Sequence, residues 1–97
     1  MKRMHVGEYL REAYMTPMNI SGKELAEALD VDLSTLSRLL SGKAACSTLM
    51  AKRLSKCFST SVEIWLNLQR AYDLQNEITD LSNVKVLRKG DINLKIT

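Results

Sequence analysis

Residues 20–40 read ISGKELAEALDVDLSTLSRLL, a stretch that holds two short amphipathic helices together with the signals that begin and end them. Ser21 is placed to accept a hydrogen bond from the main-chain amide of Glu24, and the Glu24 carboxylate is placed to reach back to the amide of Ser21. This capping box predicts a helix that begins here and continues through its apolar positions to about Leu29.

A second helix follows after only three residues. The tripeptide Asp-Val-Asp at 30–32 interrupts the helical pattern, and Asp32 is placed to cap a new helix from Leu33 to about Leu40. Gly42 comes two residues later, where a glycine commonly ends a helix because it adopts a left-handed backbone without strain. The sequence therefore predicts two consecutive helices joined by a tight turn.

Such a pair is typical of a helix-turn-helix, in which a short turn lets the second helix enter the major groove of DNA. The contact between the helices needs a small residue, which Ala26 supplies. The turn needs a residue that tolerates positive φ, and Asp30 stands where glycine is more usual. The inward positions of the unit are all apolar, namely Leu25, Leu29, Val31, Leu36 and Leu39.

Three further helices are predicted around this unit, so the expected fold class is all-α. The first spans Gly7 to Met15 and is expected to stop at Pro17. Ser47 and Ser61 are placed to cap a fourth and a fifth helix.

The fifth helix is apolar on two sides, and both sides need to be buried. Trp65 belongs to the face that is expected to close the bundle core. The other face is covered either by a chain segment that folds back or by a second copy of the protein. A dimer is expected because one module of this size contacts too little DNA for tight specificity, and its predicted contacts are Leu66, Leu74 and Ile78.

The last part of the sequence has the residue pattern of strands and not that of helices. Val84–Leu87 and Ile92–Ile96 alternate as strands do, which indicates a short β-hairpin. An isolated hairpin is marginal in water, so the tail, residues 82–97, is expected to be either a flexible end or a strand pair that becomes ordered on another surface. Residues 1–81 are expected to form a single DNA-binding and dimerisation domain.

Charge is distributed unevenly along the 97 residues, whose formal net charge is +3. Residues 33–62 contain no acidic side chain and five basic ones, namely Arg38, Lys43, Lys52, Arg53 and Lys56. A run of this length without a carboxylate is typical of a surface that binds a polyanion, and the alternative is a basic face that is merely solvated. Double-stranded DNA is the partner expected from the motif and the charge together.

Signals of catalysis, cofactors and metal binding are absent from the sequence. His5, the one histidine, stands near an N-terminus that is expected to be loose, and there is no carboxylate pair beside it and no glycine-rich phosphate loop. Cys46 and Cys57 lack the spacing of a zinc site, so they are expected to be free thiols in a loop and a helix. No stretch is apolar enough for a membrane span or a signal peptide, which predicts a cytoplasmic protein without enzymatic activity.

Four segments carry a resemblance to a known family, in this order: Gly7–Glu12 before Pro17, Leu36–Lys43, Met50–Lys56 and Trp65–Gln69. The helix-turn-helix region resembles XRE-type, or lambda-repressor-like, domains, and residues 5–75 as a whole resemble the antitoxins of the HigA/VapI family. The resemblance implies a five-helix lambda-repressor-like bundle. It also implies an antitoxin that represses its own operon as a dimer on a palindromic operator and neutralises a RelE-like toxin, a ribonuclease that cleaves mRNA.

Bases are expected to be read by the first turns of the helix that enters the groove. Arg38 is the principal candidate, because a guanidinium can bind guanine O6 and N7 bidentately, and its alternative role is a phosphate contact. Ser34 and Ser37 can reach bases or phosphates but discriminate weakly. Leu33 can touch a thymine methyl group or serve only as a contact at the helix start.

Phosphate contacts are expected from main-chain amides at the N-termini of the second and fourth helices and from polar side chains near them. The predicted phosphate-contacting residues are Lys23, Thr35, Ser41, Lys43, Ser47 and Thr48. These contacts set the register on an inverted repeat whose half-sites lie about one helical turn, 34–36 Å, apart.

Two other functions remain open from the sequence. A stand-alone XRE-type regulator without a toxin would share the DNA-reading residues, and the Trp65–Gln69 motif favours the antitoxin over it. A protein-interaction module that no longer binds DNA is disfavoured by the long run without acids. The surface that would hold a toxin is left open between the N-terminal helix and the C-terminal segment, where Ile92–Ile96 can add to a sheet edge.

Overall fold

The computed structural model describes residues 3–87, which form five helices. Helix α1 is composite, with an α-helical part Val6–Leu10, a π-helical part Arg11–Met15 and a last α-helical part Thr16–Met18. The other helices are α2 Gly22–Leu29, α3 Leu33–Leu40, α4 Thr48–Phe58 and α5 Val62–Asn76. The predicted all-α, five-helix lambda-repressor-like fold is confirmed.

Three helices begin at a serine whose side-chain oxygen accepts a hydrogen bond from the amide three residues later. The pairs are Ser21–Glu24, Ser47–Met50 and Ser61–Ile64, at 3.1, 3.1 and 3.3 Å. At α2 the capping box is complete, because the Glu24 carboxylate also accepts from the amide of Ser21. These predicted helix starts are confirmed.

Asp32 departs from this pattern. Its backbone has the extended conformation of an N-cap, but its side chain makes no capping hydrogen bond, so the predicted side-chain cap of α3 is wrong. The residue is exposed. Solvent can therefore satisfy both the carboxylate and the first amides of α3 in place of the cap.

Helix α1 passes through Pro17 and ends only at Asn19, which has a left-handed backbone with φ 55°. The predicted stop at Pro17 is therefore wrong. A proline in a regular α-helix removes one hydrogen bond and collides with the carbonyl four residues earlier. Here the preceding turn is π-helical, with the amide of Thr16 bonded to the carbonyl of Arg11, and this wider turn accommodates the ring.

The core is formed by the inner faces of all five helices around the fully buried Trp65. Its indole N–H donates to the hydroxyl of Thr60 at 2.7 Å. Tyr9, Tyr14 and Phe58 pack around the same ring, with ring centroids 5.7–6.4 Å from that of Trp65. The prediction that Trp65 closes the bundle is confirmed.

Helix α5 is shorter than its apolar pattern indicates. It ends at Asn76, and Glu77 already has an extended backbone. Ile78, 97% exposed, therefore lies beyond the helix and not on a continuous helical face, which corrects the prediction. The last residues of the pattern contact no core, and β-branched residues such as Ile78 and Thr79 extend a helix poorly when packing does not help.

The tail is described only in part. Residues 82–87 contain no strand, so Val84–Leu87 does not form the predicted hairpin strand. The other predicted strand, Ile92–Ile96, lies outside the described residues. No helix between residues 3 and 87 has the length and the apolar character that crossing a membrane requires.

Candidate nucleic-acid interface

The turn between α2 and α3 is held by main-chain geometry. Asp30 has φ 60° and ψ 48°, the left-handed conformation predicted for this position. The amide of Val31 bonds to the carbonyl of Ala26 at 3.0 Å, which closes the end of α2. Ala26 is buried, as the close contact between the two helices requires.

Arg53 on α4 stabilises this turn through hydrogen bonds from its side chain. Its guanidinium donates to the carbonyl oxygens of Leu29 at 2.8 Å and Asp30 at 3.2 Å, and it lies 3.8 Å from the Asp30 carboxylate. It thus satisfies carbonyls that the end of α2 leaves without an amide donor. In the sequence, Arg53 is recognisable only as one member of the basic run, because a partner 24 residues away leaves no local signal.

The outer face of α3 is polar and exposed to solvent. Ser34, Thr35, Ser37 and Arg38 are exposed, whereas Leu36 and Leu39 are buried. The predicted orientation of the helix is confirmed, and base reading by its outer side chains stays a prediction. No side chain on this face has an ion-pair partner between residues 3 and 87, so Arg38 is available to a ligand.

Leu33 brings the starts of α2 and α3 together. Its side chain is 53% exposed, and its Cδ1 atom would lie 3.6 Å from a methyl group added at Gly22. Leu33 therefore packs partly on the first turn of α2 and keeps an exposed edge. Because the predicted phosphate contact Lys23 follows Gly22 directly, base-reading and phosphate-binding groups are neighbours here.

The predicted phosphate-contacting residues all lie at the surface, namely Lys23, Thr35, Ser41, Lys43, Ser47 and Thr48. Two of the hydroxyl groups also have structural roles. Ser47 caps α4, and Ser41 donates to the carbonyl of Arg38 at 3.3 Å. The Ser47 hydroxyl accepts in its cap, so its proton remains available to a phosphate oxygen.

The loop between α3 and α4 is anchored to α5 through Gln69. This side chain is buried, its Oε1 accepts from the amide of Cys46 at 2.7 Å, and its Nε2 donates to Asp73 at 2.9 Å. Gln69 therefore fixes the loop that carries Lys43. The sequence motif Trp65–Gln69 contained this residue, but its role is visible only in the tertiary structure.

The end of α3 is held by the N-terminal part of α1. The Gly7 backbone lies against the main chain of Leu39 and Leu40. Arg11 donates to the carbonyl of Leu40. Helix α1 thus positions the C-terminal end of the helix that is predicted to enter the groove.

His5 is a structural residue, which corrects the expectation of a loose N-terminus. It is buried, and its Nδ1 accepts from the amide of Gly7 at 2.9 Å, so it caps α1. Its ring meets the edge of Tyr72 on α5 at a centroid distance of 4.9 Å. The sequence held no local signal for this role, because histidine is not among the usual N-cap residues and Tyr72 lies 67 residues away along the chain.

The two cysteines lie in a loop and on a helix, as predicted, and neither forms a disulfide within residues 3–87. Cys46 lies in the loop before α4, where burial raises the pKa of its thiol to about 11. Cys57 lies on α4, and burial raises its pKa as well. Within the described part of the chain, no three His, Cys, Asp or Glu side chains are grouped as a metal site requires.

The predicted dimer residues are placed unequally. Leu66 is half-buried and packs on the core, whereas Leu74 is 76% exposed on the last turns of α5. Ile78 is exposed beyond the helix. Leu74 and Ile78 therefore remain uncovered in the single chain.

Comparisons with known proteins agree with this geometry. A helix-turn-helix family model matches residues 10–65. Virulence-associated protein I of Dichelobacter nodosus is 34% identical over 87 residues, which are 90% of this chain and 81% of the relative.

Two solved structures are similar over about three quarters of this chain. The structure of Pseudomonas aeruginosa antitoxin HigA with the higBA promoter gives a TM-score of 0.74 at 36% identity, over 76% of this chain and 80% of that one. The structure of antitoxin GraA gives a TM-score of 0.75 at 44% identity, over 77% of this chain and 81% of that one. The chain therefore belongs to the HigA/VapI family of helix-turn-helix proteins, with a DNA-binding domain of the XRE type.

Proposed function

We propose that the chain is an antitoxin that binds the operator of its own operon as a two-fold dimer and neutralises a RelE-like, mRNA-cleaving toxin. The observation that carries the proposal is the outer face of α3, where Arg38 and three hydroxyl groups are exposed without a carboxylate among them. The relative solved with promoter DNA, an antitoxin by name, supports the same assignment.

On DNA, α3 lies in the major groove with Arg38 on guanine and with Leu33, Ser34 and Ser37 at neighbouring base edges. The flanking phosphates are bound by the N-termini of α2 and α4 and by the six exposed side chains assigned to them above. Residues 1–81 act as the DNA-binding and dimerisation domain, with residues 82–97 as its tail.

The dimer is supported by the exposed apolar side chains at the end of the described chain. Leu74 and Ile78 are large and uncovered, and Leu66 lies on the same helix as Leu74. Pairing two modules doubles the number of base contacts and matches an inverted repeat.

The DNA part of the proposal is tested by comparing two variants on operator and scrambled duplexes at fixed salt. Arg38→Ala removes a base contact, so it lowers the affinity for the operator by about 1–3 kcal/mol and leaves the scrambled duplex nearly unchanged. Lys43→Ala removes a phosphate contact, so it weakens both duplexes alike. Equal losses on both duplexes for Arg38→Ala would show that it is not a base reader.

The toxin part is tested by expressing the tagged chain from its native locus and identifying co-purified proteins by intact mass. A small basic protein that is toxic when expressed alone supports the antitoxin. Recovery of the homodimer alone, with the upstream inverted repeat still bound in a salt-dependent manner, indicates a stand-alone regulator instead.

A further inference from the structure

A groove of about 670 Å³ runs between the C-terminal end of α2 and the outer side of α4. Its floor is apolar and is formed in part by Leu29, Leu49 and Cys57. Leu49 is 59% exposed, which leaves a large apolar side chain in contact with water. We call this site the basic groove, because Lys52 and Lys56 stand on its rim.

The two lysines are unpaired. They are exposed, they lie one helical turn apart on α4, and neither has a hydrogen bond or ion-pair partner within residues 3–87. Like charges at this spacing destabilise a helix by about 0.2–0.5 kcal/mol. Arg53 and Asp30, which also line the groove, compensate each other's charge, so the rim has an excess of two positive charges.

The end of α5 and the residues after it have the opposite character. This acidic segment, residues 73–81, contains three carboxylates and no basic side chain. Its apolar side chains Leu74, Ile78 and Leu81 are 76%, 97% and 63% exposed.

The carboxylates of the acidic segment lack a cationic partner in the described chain. Asp73 accepts from Gln69, Glu77 from Thr79, and Asp80 from Ser82. The bond from the Ser82 amide is the main reason why the pKa of Asp80 is lowered.

We infer that the acidic segment of one copy docks in the basic groove of a second copy. Apolar side chains such as Leu74 and Ile78 cover Leu49 and the groove floor, while Glu77 and Asp80 approach Lys52 and Lys56. The inference deepens the proposed dimer and rests on it. Reciprocal exchange places two identical contacts about a two-fold axis, so the dimer is closed.

Two other occupants fit the groove less well. DNA phosphates would satisfy the lysines but offer nothing to cover the apolar floor. Residues 88–97 of the chain hold three basic side chains and one acidic, so they carry the same sign of charge as the rim.

Charge exchange between the two surfaces tests the inference by sedimentation equilibrium of the full chain. Lys52→Glu/Lys56→Glu and Glu77→Lys/Asp80→Lys each place like charges together, so each weakens self-association by about ten-fold or more. An equimolar mixture of the two double variants restores complementary charge at both contacts. It therefore forms a heterodimer within about three-fold of the wild-type affinity. Asp73 is left unchanged because it is bonded to the buried Gln69.

Glu12→Lys, an exposed charge reversal on α1 outside both surfaces, is the control and leaves self-association unchanged. The inference is overturned if the mixture associates no more tightly than each double variant does alone. It is also overturned if the double variants self-associate as the wild-type chain does. A third outcome overturns it as well: Lys52→Glu/Lys56→Glu self-associates as the wild-type chain does but no longer binds duplex DNA. That result would assign the groove to the DNA backbone. Operator binding by the wild-type chain, measured in parallel, decides the proposed function separately.

Discussion

Gly7 on α1 lies directly against the main-chain carbonyl of Leu39 on α3. A methyl group added at Gly7 would lie 2.0 Å from that oxygen and 2.7 Å from the Cα atom of Leu40, both far shorter than an ordinary van der Waals contact of 3.4–4 Å. The contact joins the N-terminal helix to the helix that carries the predicted base readers. Arg11 strengthens it by donating to the carbonyl of Leu40.

Gly7→Ala is therefore expected to destabilise the fold although alanine favours helix. The added carbon meets backbone atoms that cannot move aside, and overpacking of this kind costs about 1–3 kcal/mol or more. Chemical denaturation measures the change. Gly22→Ala is the matched control, since its added carbon meets only Leu33 at 3.6 Å. Equal stabilities of the two variants would contradict the close approach.

Arg53→Ala is expected to lower the free energy of unfolding by about 1–3 kcal/mol, because the carbonyls of Leu29 and Asp30 lose a charged donor. Arg53→Lys recovers only part of this loss, since an ammonium group lacks the planar fork of a guanidinium. Thermal and urea unfolding give the values. Arg70→Ala removes an exposed arginine from α5 and serves as the reference; a loss of the same size there would refute a special role for Arg53.

Gln69→Leu is expected to leave the buried amide of Cys46 without an acceptor, at a cost of about 1–3 kcal/mol. Hydrogen exchange of that amide should speed up more than exchange in the core of α4. The loop that carries Lys43 becomes less ordered, so the affinity of the protein for DNA of any sequence is expected to fall. Asn67→Leu, an exposed amide on the same helix, tests whether any such change on α5 has this effect.

Cys46 is expected to make stability depend on pH in the alkaline range. Burial raises the pKa of its thiol from 9.0 to about 11, so the folded state favours the neutral form. Its contribution is complete below pH 9 and is lost as the pH rises towards 11. Wild-type protein should therefore lose more stability than Cys46→Ala across this interval. Cys57→Ala, whose thiol is less buried, should reduce the slope less; parallel curves for wild type and Cys46→Ala would argue against the shift.

Much of the fold could be predicted because its signals are local. The serine caps at Ser21, Ser47 and Ser61 act within three residues, and the left-handed turn at Asp30 depends on one residue's backbone. The inward and outward faces of α3 follow from helical periodicity alone. For the same reason, the exposure of Arg38 and its neighbours was predictable.

The sequence by itself thus determined the helices α2 to α4, the turn, and the polar face proposed for DNA. Only the tertiary structure decided that Arg53 fastens the turn, that Gln69 holds the loop, and that His5 is buried under Tyr72. It also decided where α5 ends. The first three features depend on partners that lie 23 to 67 residues apart along the chain, and the end of α5 depends on the absence of packing. Neither cause can be predicted from the residues that are adjacent in the sequence.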